Sequence, residues 1–164
     1  MTPTLPRVGH GFDAHRLVAG RPLRLGGIPV PHDRGLEGHS DGDCVLHAVC
    51  DALLGAAGAG DMGQHFPSRD PRWRGADSRV FVAEVSRLLR EGRWRLGNLD
   101  VTVIAQEPVL APHLGPMRQA IAAALEVAED SVSVKAKSTD HMGALGRGEG
   151  IAALATALIT KQEA

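Results

Sequence analysis

One stretch constrains this chain more than any other. From His39 to Pro67 it reads H-S-D-G-D-C-V-L-H-A-V-C-D-A-L-L-G-A-A-G-A-G-D-M-G-Q-H-F-P. A polar loop with His39, Asp41 and Asp43 runs directly into an apolar segment. Asp43 stands where a helix N-cap belongs, because a carboxylate there accepts the first orphan amides. Val45, Leu46, Val49, Leu53 and Leu54 recur at helical spacing, and the pattern dissolves between Gly55 and Gly60. His47 and Asp51 are four residues apart and share one helix face. Asp61, Met62 and Gly63 lead on to Phe66 and Pro67. Histidine and carboxylates at both ends of a packed helix point to a region that holds metal and handles phosphate.

The bulk composition narrows the classes. With 164 residues, 43% of them hydrophobic, the chain can bury a real core, and we expect one domain over 1–164. A net charge of -1 gives no reason to expect a nucleic acid or an acidic membrane as partner. No segment approaches the ~20 apolar residues of a membrane span, and the N-terminus lacks an apolar signal core. Cys44 and Cys50 fall on one predicted helix at a spacing that cannot close a disulfide, which favours reduced thiols in a cytoplasmic protein. Eight histidines favour metal or acid–base chemistry.

Along the chain, Arg7 to Leu17 is short and Gly-punctuated and predicts a strand. Its Asp13 and His15, two apart, would then point to one face. Asp-x-His is either a clip offering a carboxylate and an imidazole to a metal or a turn Asp beside a surface His; His47 as a third ligand favours the clip. Arg21 to Val30 alternates about Gly26-Gly27 and predicts a hairpin at a sheet edge, with Pro22 and Pro29 limiting its pairing. Pro31 to Gly38 reads as a polar connector. Ser68 to Asp77 has no periodicity; a binding lid and a plain surface excursion fit it equally. Asp77 is expected to cap a helix carrying Val80, Val82, Val85, Leu88 and Leu89, ending at Gly92. Leu96 to Gln106 predicts a β-branched strand. Pro112 starts a third helix with Leu114, Met117, Ile121 and Leu125 on one face. A strand is expected over Asp130–Lys137, a Gly-rich turn over Gly143–Gly150, and a last helix from Ile151 to about Lys161. The glycines form neither G-x-x-x-x-G-K-[ST] nor a G-x-G-x-x-G after a strand, so no P-loop or dinucleotide site is expected. Helices alternating with about four strands predict an α+β fold, a four-stranded mixed sheet with helices on one face.

Several motifs recur together: G-H-G-F-D-A-H at 9–15, H-S-D-G-D at 39–43 with His47 and Asp51, D-M-G at 61–63, F-P at 66–67, G-A-D-S-R at 75–79, A-Q-x-P at 105–108 and G-R-G-E-G at 146–150. In this order, over essentially the whole chain, they resemble the 2-C-methyl-D-erythritol 2,4-cyclodiphosphate synthases of the non-mevalonate isoprenoid pathway. That family also exists fused to a cytidylyltransferase, for which 164 residues leave no room. The resemblance implies a four-stranded α+β subunit, a homotrimer with its sheets around the threefold axis, and active sites between neighbours. It implies a small-molecule cytidine diphosphate substrate, CDP-methylerythritol 2-phosphate, converted to the cyclic diphosphate and CMP.

Carried over by the same resemblance, Asp13, His15 and His47 are the zinc ligands, leaving a fourth position for a phosphate oxygen. His39 and Ser40 bind the diphosphate, and His39 and Ser138 stabilise the transition state. Asp61, Met62 and Gly63 match the pocket for the methylerythritol hydroxyls, and Phe66, Pro67, Ser68, Arg69 and Asp70 its adjoining loop. Ala105, Gln106, Glu107, Pro108, Val109, Leu110 and Ala111 match the cytidine pocket. Lys137, Ser138, Thr139 and Asp140 match a phosphate loop, in which Asp140 would hold a second divalent ion, magnesium or manganese. Arg147 matches a substrate contact near the trimer axis. Asp51, on the helix face of His47, is read as orienting a ligand imidazole. The family usually has Glu where Asp140 stands, Thr where Lys137 and Ser138 stand, and an aromatic residue near Ala144. Two rival readings are a zinc phosphoesterase, for which the sequence offers no clear carboxylate base, and a non-catalytic trimer binding metal and nucleotide, against which the intact ligand set argues.

Overall fold

A computed structural model describes residues 5–162. The chain runs β1 (Arg7–Ala19), β2 (Leu23–Leu25), β3 (Ile28–Val30), β4 (Arg34–Leu36), α1 (Cys44–Ala57), α2 (Met62–His65), α3 (Arg79–Glu91), β5 (Trp94–Ile104), α4 (Leu114–Leu125), β6 (Val132–Lys137), α5 (Gly143–Gly146) and β7 (Gly150–Lys161). β2 and β3 pair only with each other. The other strands form one mixed sheet in the order β4-β1-β7-β5-β6, in which β5 and β6 are parallel and the remaining pairs antiparallel. The long helix α1 packs on β1 and β7, and α4 on β6.

The glycines of β1 set how closely α1 can approach. Gly9, Gly11, Asp13 and His15 alternate toward the helical layer. A Cβ on Gly9 would fall 2.0 Å from the Ala52 carbonyl oxygen, and one on Gly11 would fall 2.0 Å from that of Ala48. Ala48, Ala52 and Ala56, one turn apart and fully buried, complete a contact of small residues with no room for a methyl group. This brings the backbone of α1 close enough for His47 to reach the side chains of β1. Asp43 fixes the start of the helix. Its carboxylate accepts the Leu46 amide at 3.1 Å and the Gly26 and Gly27 amides at 2.9 and 2.7 Å, so one buried side chain both caps α1 and ties down the β2–β3 turn. Burial pushes that carboxyl above the usual range despite its amide partners. Cys44 and Cys50 are free and buried, as expected.

Several sequence expectations are corrected. The sheet has five strands, not four. β4 lies in the stretch read as a polar connector; it is three residues long, too short for any period to show, and exists because Leu36, Gly35 and Arg34 pair with Leu17, Val18 and Ala19 of β1. The stretch from Ile151 to Lys161, read as a helix, is strand β7. It lies between β1 and β5 and is paired along both edges. Its helix-facing positions Ala153, Ala155 and Ala157 must be small because they sit beside Gly11 and Gly9 under α1. The resulting alanine-rich run imitates a helix, since alanine is the strongest helix former and the apolar Leu154 and Leu158 on the opposite, more open face blur the alternation of a strand. Elsewhere α1, α3, α4 and the strands around 96–106 and 130–137 lie where the pattern put them, within a few residues; the hairpin forms too, but as a sheet of its own and not at the edge of the larger one, and the N-cap of α3 is Ser78, not Asp77.

Candidate active site

Asp13 and His15 project from β1 toward α1, and His47 projects back from the helix's first turn. One ligand atom from each lies within 4.8 Å of the others. The Asp13 Oδ2 atom is 2.8 Å from His15 Nε2 and 2.9 Å from His47 Nδ1, and the two nitrogens are 3.3 Å apart. The outer ring nitrogen of His15, Nδ1, lies against the Glu37 carbonyl oxygen. A carbonyl only accepts, so Nδ1 carries the hydrogen and Nε2 turns a lone pair inward. Burial alone would raise the Asp13 carboxyl, but hydrogen bonds and charge from His15 and His47 outweigh it and hold the group well below the carboxylate range. The His15 imidazole is shifted upward: burial opposes its charge, and the bonded Asp13 overcomes that. A carboxylate and two imidazoles converging at this spacing are a donor set that fits a zinc-like cation with one position left open.

Outside the triad, His47 Nε2 lies 3.0 Å from Ser78 Oγ and 3.3 Å from Ser40 Oγ. The Ser78 hydroxyl donates to Asp41 Oδ1 at 2.5 Å, and its amide donates to Asp41 Oδ2 at 3.0 Å. Asp51, expected to orient a ligand imidazole, lines the cavity beside His47 and is hydrogen-bonded elsewhere. Its carboxylate accepts the Met62 amide at 2.8 Å and so anchors α2 beside the cavity, while burial pushes its carboxyl upward. The contact to His47 comes from Ser78 instead. Sequence reading quoted Ser78 only within G-A-D-S-R and assigned it no role; nothing local announces it, because its partners are 31 and 37 residues away.

The triad opens into a cavity of about 260 Å³. Of the residues expected around the substrate, His39, Ser40, Met62, Gly63, Phe66 and Ser68 line it. Asp61 caps α2 by accepting the Gln64 amide at 3.0 Å. The carbonyl of Asp70 accepts from His39 Nε2 at 3.2 Å, and its carboxylate holds Arg72 at 2.6 Å. Arg69 and Pro67 are outside the cavity lining. The apolar wall was not foreseen: Phe66, Trp73 and Phe81 stack with ring centroids 4.8–5.5 Å apart. Phe81 also lies 6.0 Å from the His47 ring. In a chain with three Phe, two Trp and no Tyr, this places most of the aromatic surface at one cavity. The 68–77 loop, left open as lid or excursion, supplies Ser68 and Trp73 to that cavity. It is pinned to the 39–41 loop by Gly75 N to His39 O at 2.8 Å and Asp41 N to Ala76 O at 3.0 Å.

The residues expected to bind nucleotide lie elsewhere on the same sheet. β5 and β6 end together, with Ile104 opposite Lys137 and the Ala105 amide donating to the Lys137 carbonyl at 2.9 Å. Their loops therefore leave the carboxyl ends of the parallel pair, where ligand crevices commonly form. The His141 amide joins the loops by donating to Gln106 Oε1 at 3.0 Å. Asp140 and His141 have positive φ, 52° and 62°. Lys137, Ser138 and Asp140 are exposed, Glu107 and Ala111 are exposed, Val109 is 77% exposed, and Ala105 and Leu110 are buried anchors. Thr139 Oγ1 donates to the Met142 carbonyl at 2.8 Å. None of 105–111 or 137–140 lines the metal cavity; β7 and β5 stand between β1 and β6, which are about 14 Å apart at ordinary strand spacing. Arg147 is exposed and pairs with Glu149 at 2.6 Å.

Comparison with known proteins adds four likenesses. A family model described as the YgbB family matches residues 6–160. A 2-C-methyl-D-erythritol 2,4-cyclodiphosphate synthase from Alkalilimnicola ehrlichii is 56% identical over 156 residues, covering 94% of this chain and 95% of the relative. Among solved structures, a CDP-bound form of 2C-methyl-D-erythritol-2,4-cyclodiphosphate synthase superposes with a TM-score of 0.85 at 36% identity, covering 93% of this chain and 99% of the other. The bifunctional IspDF from Campylobacter jejuni reaches a TM-score of 0.94 at 36% identity; it matches 98% of this chain, which spans 43% of the larger protein.

Proposed function

From the premise that this chain belongs to the YgbB family of 2-C-methyl-D-erythritol 2,4-cyclodiphosphate synthases, we propose how its own residues carry the reaction. The enzyme is a cyclising phosphorus–oxygen lyase of isoprenoid biosynthesis that converts CDP-methylerythritol 2-phosphate to methylerythritol 2,4-cyclodiphosphate and CMP. An oxygen of the 2-phosphate attacks the β-phosphorus, the bond to CMP breaks, and CMP leaves with the electron pair. The nucleophile is already anionic, so the protein needs no strong base. Its task is to position the phosphates and neutralise charge.

The observation that carries this reading is the convergence of Asp13, His15 and His47 at the floor of the cavity. We assign these residues to zinc and Asp140 to magnesium or manganese; when bound, the ions supply Lewis-acid charge to the phosphates. His39, which lines the cavity with its Nε2 facing the Asp70 carbonyl, contacts phosphate with its ring. Ser138 donates from the nucleotide side. Backbone groups of 105–111 read the cytosine. Met62, Gly63 and the aromatic wall hold the methylerythritol and exclude water, which favours cyclisation over hydrolysis.

The separation of the two halves supports a homotrimer in which one subunit's 105–111 and 137–140 loops face the neighbour's metal cavity. The sheet face opposite the helices supports it too. Val8 and Phe12 there are 65% and 57% exposed, and Leu154 and Leu158 beside them are only half-covered; the polar pair His10–Thr156 lies between these two apolar patches, and such exposed apolar side chains are of the kind that interfaces bury. A single domain over 1–164 and a cytoplasmic location complete the proposal; among the described residues no helix is long and apolar enough to cross a membrane. The test is phosphorus NMR of the protein with CDP-methylerythritol 2-phosphate, zinc and magnesium. Cyclic diphosphate and CMP are expected; linear methylerythritol phosphates, or no conversion with metal bound, would refute the assignment.

A further inference from the structure

We propose that Ser78 and Asp41 are positioning residues that fix the tautomer of His47 and thereby aim its Nδ1 lone pair at the metal. The inference rests on the metal assignment above and extends it to two side chains outside the triad. Asp41 is a carboxylate and can only accept. It receives the Ser78 hydroxyl at 2.5 Å, the Ser78 amide at 3.0 Å and the Asp43 amide at 3.1 Å. The serine has one hydroxyl hydrogen, and that hydrogen is committed to Asp41. Toward His47 Nε2, 3.0 Å away, Ser78 Oγ has only lone pairs to offer, so Nε2 must be the donor. A neutral imidazole with its hydrogen on Nε2 has its lone pair on Nδ1, the atom facing Asp13 and His15.

The neighbourhood makes this relay specific. Ser78 is fully buried, so no water competes for its oxygen, and the Asp41 side chain is 11% exposed. The Arg24 guanidinium, from the β2–β3 hairpin, lies 3.6 Å from Asp41 and 3.5 Å from Asp77, so a cation faces the Asp41 carboxylate at Oδ2, the oxygen that does not take the Ser78 hydroxyl. Ser40 offers the competing arrangement. Its hydroxyl, 3.3 Å from the same Nε2, is free to rotate and donate, which would place the imidazole hydrogen on Nδ1, pointed into the metal position. The shorter contact from Ser78, with its proton locked on Asp41, decides between the two tautomers. The arrangement parallels that of His15, whose Nδ1 is fixed by the Glu37 carbonyl, but here a hydroxyl relays the carboxylate.

The test uses Ser78→Ala and Asp41→Asn in the full chain, with His47→Ala as reference. Zinc affinity is read by competition with a chromophoric chelator, and the His47 tautomer by nitrogen-15 NMR of the metal-free protein. Thermal unfolding confirms that each variant folds. Loss of an outer partner of a metal-bound histidine typically weakens metal binding 10–100-fold, and that is expected for Ser78→Ala, together with a shift of the His47 signals toward the Nδ1–H form. Asp41→Asn, which leaves the hydroxyl in place but removes the acceptor-only partner, should move the same signals in the same direction. Wild-type affinity and tautomer in both variants, while His47→Ala loses zinc, would overturn the inference and leave the metal assignment standing. Undiminished zinc binding in His47→Ala would overturn the metal assignment, and this inference with it.

Discussion

The cavity at Asp13, His15 and His47 and the edge where β5 and β6 end sit at the same level of one sheet and are built in opposite ways. At the cavity, Asp13, His15, His47, Ser78 and Asp41 are half-buried or buried, and their polar atoms are paired within the chain. Each is held by an element that cannot shift alone: β1 by its two neighbours, α1 by the glycine–alanine contact, the 75–78 loop by its bonds to 39–41. At the edge, Lys137, Ser138, Asp140 and Val109 are exposed, and the two loops are joined to each other but cover nothing. The contrast teaches that a buried polar cluster must be complete where it folds, because an unpaired buried group is costly. Under the proposed division of the site, groups that meet a ligand and a neighbouring subunit can be left open.

The largest expected effect strikes the cavity through its scaffold. Gly11→Ala puts a methyl group 2.0 Å from the Ala48 carbonyl oxygen, so α1 must lift from β1. We expect destabilisation of about 3 kcal/mol by denaturant titration, with zinc binding lost. An unchanged midpoint would mean that α1 is not seated as described. Next, His47→Ala removes one of the three side chains assigned to zinc; zinc stoichiometry should drop to zero and turnover fall on the order of 10³-fold, with thermal unfolding unchanged. Phe12→Asp attacks the exposed sheet face. It should shift the assembly toward monomers by sedimentation and abolish turnover while zinc binding persists, which would separate the two halves physically. A trimer unaffected by this charge would remove the open face from the interface. The smallest effect belongs to the edge. Asp140→Ala should leave zinc affinity untouched, weaken the magnesium dependence and lower turnover by about 10²-fold; an unchanged magnesium dependence would reject its role.

The same contrast explains what could be read from the sequence. Asp43 as a cap, the α1 period and the Asp-x-His pair are local patterns, each enforced by geometry within a few residues, and they led to the observed helix and to three side chains that converge in the structure. The Gly-x-Gly spacing ahead of Asp13 was legible as well, but as punctuation; its meaning as a contact stripe needs the alanines of α1. β7 was misread because its composition answers to what packs on it, and alanine is chosen there for size. β4 was missed because only pairing with β1 makes it a strand. Ser78 and Asp41 were out of reach for the same reason: their bond spans 37 residues and has no sequence period.

The most direct measurement is complementation between the two halves. His47→Ala and Asp140→Ala chains, each damaged in one half, are unfolded, mixed and refolded, and formation of cyclic diphosphate and CMP is followed. If each site joins one subunit's metal cavity to a neighbour's nucleotide edge, random mixing leaves about a quarter of the sites with both halves intact. Turnover should then rise well above either parent. If mass spectrometry shows mixed assemblies and activity stays at the parental level, every site lies within one chain, and the division of the site between subunits is wrong.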